Sequence, residues 1–322
     1  MRSTSSPEFS RNYGFWSEVE QQAILGARVA IAGVGGVGFQ LGTKLARMGV
    51  SSFAIADPEV FEPQNANRVP GASASTYGRM KAEVFREQVR DINPRAVVHV
   101  YREGVTVDNV AEFLEGATLV FDESESTQPE IGVGLAREAR RLGIPDVLVV
   151  NVGFAATVTS FLPRSRWTFE RFLGLSETAP LDEIAGATLD YTRFLPYIPP
   201  YSDLRALVTL TTDAPDGSSA SLPSISPGVD LASALGSTQA FLHILSAAGL
   251  GSRRRRPVEA PAVAYLDAYT MKARIIRLGR GTHRRHLIAA YARQRLGLNP
   301  GVSYSHAEIA ARHDDDREAG GR

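Results

Sequence analysis

The chain has 322 residues, 43% of them hydrophobic and 22% charged, enough for one large α/β domain with appendages or for two small domains. Lys plus Arg and Asp plus Glu are both 35, so the chain as a whole has no electrostatic preference for nucleic acid. The absence of cysteine excludes disulfides, a cysteine zinc site, a thioester intermediate and a persulfide relay through this chain.

No apolar run approaches the roughly 18 residues of a membrane span, and the polar start lacks a signal-peptide core. A cytosolic protein is the expectation. Residues 1–9 read as a disordered leader. Arg28 to Ala32 is a short β-favouring run, and glycines follow it at once. Gly38 to Met48 has helical periodicity, with Phe39, Leu41, Leu45 and Met48 available to one face. Phe53 to Ala56 is a second buried strand, ending at Asp57. A polar, Pro- and Asn-rich loop runs from Pro58 to Tyr77. Arg79 to Ile92 is helical and stops at Asn93-Pro94. Val97 to Val100 is a third strand, Asp108 to Leu114 a short helix, and Ala117 to Phe121 a fourth strand. Glu130 to Leu142 is a helix closed by Gly143 and Pro145, and Val147 to Asn151 a fifth strand. This alternation predicts a doubly wound α/β sheet, parallel in its N-terminal half.

The second half reads differently. Ala155 to Leu162 is a strand, whereas Pro163 to Pro223 is long, irregular and rich in aromatics and prolines, as expected of a functional excursion. Val229 to Leu250 is an apolar helix, buried or at an interface. Ala262 to Leu266 and Ala273 to Leu278 read as a closing hairpin, giving a mixed, antiparallel C-terminal half. Residues 279–322 form a basic and charged extension.

Gly33-Val34-Gly35-Gly36-Val37-Gly38 is a G-x-G-x-x-G directly after a strand and directly before a helix. Its glycines let backbone N–H groups approach a phosphate, and the helix N-terminus adds a favourable dipole. Asp57 ends the next strand, where an acid accepts from ribose hydroxyls. The spacing alone does not choose between nucleotides.

The continuation does. Asp57-Pro58-Glu59, then Asn65-Ala66-Asn67-Arg68, then Gly78-Arg79-Met80-Lys81 resembles the ThiF/MoeB/HesA family of the ubiquitin-activating-enzyme superfamily. That family reads D-x-D-x-x-x-x-S-N-x-x-R followed by G-x-x-K. Ser10-Arg11-Asn12 resembles its N-terminal S-R-Q, whose arginine reaches the neighbouring subunit's site. The likeness runs through residues 10 to 163 and, more loosely, 224 to 278. It implies a Rossmann-like domain over 10–278, a homodimer, and ATP-dependent activation of a carboxylate as an acyl-adenylate. By that resemblance Gly33, Gly35, Gly36, Gly38, Asp57 and Glu59 bind the nucleotide. Asn65, Arg68, Lys81 and the partner's Arg11 then stabilise the charge that develops when pyrophosphate leaves.

Three departures bear on chemistry. Where the family has an aspartate for Mg²⁺, the chain reads Asp122-Glu123-Ser124-Glu125-Ser126, so Glu125 is the expected ligand with Asp122 behind it. Val69 replaces the glutamine after the arginine. The zinc cysteines and the thioester cysteine are missing, so no zinc is expected and the chemistry stops at the adenylate. The expected substrate is the C-terminal carboxylate of a small carrier protein or peptide. A nucleotide-binding regulator, a tRNA-modifying ATP-dependent dehydratase and, last, an NAD-dependent oxidoreductase are the alternatives. Between Arg253 and Arg295 there are 12 Lys or Arg against Glu259 and Asp267. That basic stretch fits an acidic carrier, a tRNA or a neighbouring subunit, but is most simply a solvated face. His283, His286, His306 and His313 match no metal spacing, and Tyr191, Phe194, Tyr197 and Tyr201 cap the core or line a peptide groove.

Overall fold

The structure, a computed structural model, describes residues 7–124, 128–185, 187, 193, 199, 201–202, 224–252, 256–278, 285, 288–289, 292–293 and 296. Among these, eight strands form one sheet: β1 (Arg28–Ala32), β2 (Ser52–Ala56), β3 (Val97–Tyr101), β4 (Leu119–Asp122), β5 (Asp146–Val152), β6 (Ala155–Phe161), β7 (Ala262–Asp267) and β8 (Lys272–Arg277). Their order is β3-β2-β1-β4-β5-β6-β7-β8, parallel from β3 to β5 and antiparallel from β5 to β8. The chain reverses direction across the sheet between β1 and β4. That switch point opens a crevice at the carboxyl ends of the strands.

The helices are α1 (Glu18–Leu25), α2 (Gly36–Met48), α3 (Lys81–Ile92), α4 (Val110–Phe113), α5 (Pro129–Leu142), α6 (Phe169–Leu173), α7 (Leu181–Ala185) and α8 (Ser226–Ala247). One face of the sheet is covered by α2, α3 and α8, whose Phe39, Leu41, Phe85 and Ile244 join Ile31, Phe53 and Val149 in a shared core. The other face is covered by α4 to α7 over two adjoining clusters. Phe39, Phe53, Phe61 and Phe85 are fully buried and meet edge-on, each burial worth roughly 1.5–3 kcal/mol.

Several boundaries differ from those read in the sequence. Ordered structure begins before the expected end of the leader, in a 3₁₀ turn over Pro7–Asn12 that buries Phe9. Helix α1, capped by a reciprocal Ser17–Glu20 box, was not expected. Helix α2 starts at Gly36 rather than Gly38, so the glycines form its first turn, and α8 starts at Ser226, three residues early, with proline in that turn. The stretch after Pro163 carries α6 and α7, so its first part is regular. Tyr191, Phe194, Tyr197, the four C-terminal histidines and nearly all of 279–322 lie outside the described residues.

Tyr201 caps the core: its hydroxyl donates to Asp267, and its ring packs on Phe154 and Tyr269. Burial and the adjoining Asp267 carboxylate push its pKa upward. Among the described residues, no helix is long and apolar enough to cross a membrane.

Candidate nucleotide site

β1 ends against the sheet's centre, and the chain must turn at once into α2. Gly33 makes that turn at φ +99°, and its N–H donates to Ala56 O at 2.7 Å. A Cβ there would stand 2.2 Å from the backbone oxygen of Glu123, so only glycine fits. Gly38 closes the turn from the other side, a Cβ being 2.0 Å from Gly33 O. Over Gly35 the space is open, with no atom within 4 Å of a would-be Cβ. The cradle is therefore closed beneath and open above, at the positive end of a 13-residue helix. A phosphate fits that arrangement.

Asp57 occupies an unexpected role. It is 4% exposed; Oδ2 accepts from the Val34 N–H at 2.8 Å and Oδ1 from the Glu59 N–H at 2.9 Å. Both oxygens thus tie the cradle to the loop after β2, and each keeps a second lone pair for a further donor. Burial raises its pKa, opposed by Lys81 and by those two N–H groups.

Two residues on, Glu59 carries an exposed carboxylate that pairs with Lys81 Nζ. Lys81 opens α3 and is itself 6% exposed. The loop between them folds back on itself. Lys81 N–H donates to Glu59 O at 3.0 Å, Phe61 N–H to Arg79 O at 2.9 Å, and Gly78 N–H to Phe61 O at 2.8 Å. Phe61 and Val69, both buried, anchor the loop to the core. Val69 is a core contact, which explains an apolar residue where the family pattern has glutamine.

The chain from Glu62 to Val69 makes a tight turn that Asn65 holds. Its Oδ1 accepts from the Glu62 N–H at 3.0 Å, and its backbone oxygen accepts from Arg68 and Val69. Asn65 is 6% exposed, so its amide shapes this turn first and faces a ligand only through Nδ2. Arg68 is thereby set beside α2: its Cγ lies 3.6 Å from where a Cβ on Gly36 would stand. Glycines, Asp57, Glu59, Lys81, Asn65 and Arg68 accordingly meet at one end of the sheet.

Arg11 and Asp122 do not join them. Arg11 is exposed at the far end of α2, where Asn12 and Gln21 bond Met48 O. Thirteen helical residues separate that end from the cradle, about 18 Å. Asp122 is 5% exposed. Its Oδ1 accepts from the Ser124 N–H and hydroxyl, and its Oδ2 lies 2.8 Å from where a Cβ on Gly132 of α5 would stand. Its Oδ2 thus lies on the side of α5, the helix packed against the sheet. Burial raises its pKa, as it does that of Glu123, where Asp122 adds to the effect. Glu125 lies outside the described residues. Among those described, no three acids or histidines converge as a metal centre.

The sequence profile of the ThiF family matches residues 9–283. The tRNA threonylcarbamoyladenosine dehydratase of Escherichia coli (strain K12) is 34% identical over 145 residues, 45% of this chain and 52% of that protein. The SAMP-activating enzyme E1 of Haloferax volcanii is 32% identical over 106 residues, 33% of this chain and 39% of that protein. The chain thus spans about half the length of the first relative and less of the second. Among solved structures, E. coli MccB with ATP superposes with a TM-score of 0.61 at 16% identity, over 86% of this chain and 73% of MccB. At that identity the likeness establishes the fold alone.

Proposed function

The chain belongs to the ThiF family, and we propose that it is an ATP-dependent adenylyltransferase that activates a carboxylate as an acyl-adenylate. The observation that carries this is Arg68 set against Gly36 of an open glycine cradle whose loop also brings in Lys81. A dinucleotide dehydrogenase breaks no phosphate bond and so has no developing phosphate charge for the two cations to offset. Adenylation needs them: a carboxylate oxygen attacks the α-phosphorus, the bond to the β-phosphate breaks, and pyrophosphate departs with the displaced charge. Two fixed cations offset repulsion on approach and charge on departure.

In this reading the backbone N–H groups of Gly35 and Gly36 take the phosphates, and Glu59, freed from Lys81, accepts from the ribose. Mg²⁺, when bound, would supply further neutralisation of the phosphate charge, with Glu125 as the ligand from this chain. The chain's lack of cysteine leaves the adenylate as its product, passed on without a thioester. Arg11 serves a second copy of the chain. Its distance from its own cradle supports that, as do the exposed apolar side chains Phe15 (80%) and Val19 (62%) beside it.

The substrate favoured here is the C-terminal carboxylate of a small carrier protein or peptide. A second reading, activation of a modified adenosine in tRNA, is supported by the dehydratase relative and by Arg274 and Arg277 exposed on the sheet's edge strand. ATP–pyrophosphate exchange, run in parallel with carrier C-terminal peptides and with tRNA, separates them. Exchange with peptide alone supports the first and exchange with tRNA alone the second. ATP binding without exchange in either arm argues for a regulator.

A further inference from the structure

Arg68 begins a hydrogen-bonded chain that leaves the nucleotide loop. Its Nη1 donates to Asn67 Oδ1 at 2.9 Å and to Gln64 O at 3.1 Å. Asn67 Nδ2 donates to Ser224 O at 2.9 Å, and Ser224 Oγ accepts from Asn151 Nδ2 at 2.9 Å. Ser224 stands two residues before α8, whose Val229 methyl lies 3.0 Å from where a Cβ on Gly36 would be. One network therefore joins Arg68, the end of β5, the start of α8 and the first turn of α2.

A planar amide offers one acceptor and one donor edge in fixed relation. Once Nδ2 is engaged by the Ser224 carbonyl, the direction of Oδ1, and with it the guanidinium, is set. A long arginine free to sample its rotamers loses that freedom on binding a phosphate, whereas one already held loses less. We propose that Asn67 is a positioning residue that orients Arg68 in advance of the nucleotide, with Ser224 and Asn151 holding Asn67 in place. This inference rests on reading the cradle as an ATP site. Asn67 acts through Arg68 and touches no part of the nucleotide.

The test is calorimetric titration of MgATP into the full chain and into Asn67→Ala, Asn151→Ala, Arg68→Ala and the Arg68→Ala/Asn67→Ala double variant. Circular dichroism confirms that each is folded. Asn67→Ala is expected to weaken binding about fivefold to tenfold, the size of one ordinary net hydrogen bond. Asn151→Ala, which leaves Asn67 and Arg68 intact, shifts it the same way by about twofold to threefold. With Arg68 already gone, removing Asn67 changes the affinity by less than about twofold. A full additional loss in the double variant, or Asn67→Ala binding as tightly as the parent, overturns the proposal. A parent that takes up no MgATP fails earlier and differently, by removing the nucleotide reading on which the proposal stands.

Discussion

Asp146, at the start of β5, is 1% exposed, and neither of its carboxylate oxygens has a partner among the described residues. Burial, then the charges of Asp122 and Glu170, pushes its pKa well above the ordinary value. Glu170 is itself held by Arg137 at 2.8 Å. A carboxyl raised in this way keeps its proton in the folded chain after the unfolded chain has released it. Its contribution is intact below the unfolded value of about 3.9 and is lost as pH rises through the folded one. Asp146→Asn keeps the shape and cannot ionise. Urea unfolding at pH 5 and pH 8 is expected to show a smaller loss of stability in the variant than in the parent. Equal losses would show that Asp146 does not carry this pH dependence. Asp57 shows what residue spacing can and cannot disclose. That a carboxylate ends β2 is legible from the apolar run before it. Which way its oxygens face is set by the fold-back of the loop, where Phe61 pairs with Arg79 and Glu59 with Lys81, contacts between residues distant in sequence that no local pattern records.

At the scale of elements, the turn from β1 to α2 separates two glycines by function. Gly33 is required by its backbone, with φ +99° and a carbonyl 2.2 Å from a would-be Cβ. Gly35, at φ −68°, meets nothing within 4 Å. Gly33→Ala is therefore expected to lower stability by about 1–3 kcal/mol or more, from left-handed strain together with the clash. Gly35→Ala is expected to leave the melting temperature within about 2 °C while weakening MgATP binding, because its methyl enters the space a phosphate would take. Thermal melts and titrations of the two variants check this pair. If Gly35→Ala bound MgATP unchanged, the open side of the cradle would not be the phosphate site. Most strands were legible because they are apolar runs closed by Gly, Pro or an acid. Helix ends were less so: glycine and proline discouraged a start at Gly36 or Ser226, although both residues suit a first turn. Helices α6 and α7, 5 residues each, are too short to show periodicity. Thr168, which caps the start of α6, and the left-handed Gly174 at its end were the local signals available there.

The whole molecule is a parallel half that builds a nucleotide crevice and an antiparallel half that extends the sheet to β8. The family and a sheet parallel in its N-terminal half and antiparallel in its C-terminal half were legible, because the motif residues sit on one loop between β2 and α3 and the strands are short apolar runs. The direction of the Asp122 carboxylate was not, because it depends on how α5 packs under β4. Completion of the site by a second copy is the reading that concerns the molecule's assembly. Phe15, 80% exposed, follows Arg11 by four residues in the segment that Asn12 fastens to the C-terminal end of α2. Phe15→Glu is expected to shift the mass seen by light scattering from dimer to monomer and to weaken pyrophosphate exchange with it. A parent that is monomeric at every concentration would leave Arg11 without a site.

The most direct measurement is titration of MgATP into the full chain beside Lys81→Ala, with NAD as competitor. Saturable binding is expected at one site per chain, at least about tenfold weaker in Lys81→Ala, as for a buried cation facing phosphate, and untouched by NAD. Binding that ignores the loss of Lys81, or that NAD displaces, would contradict this expectation.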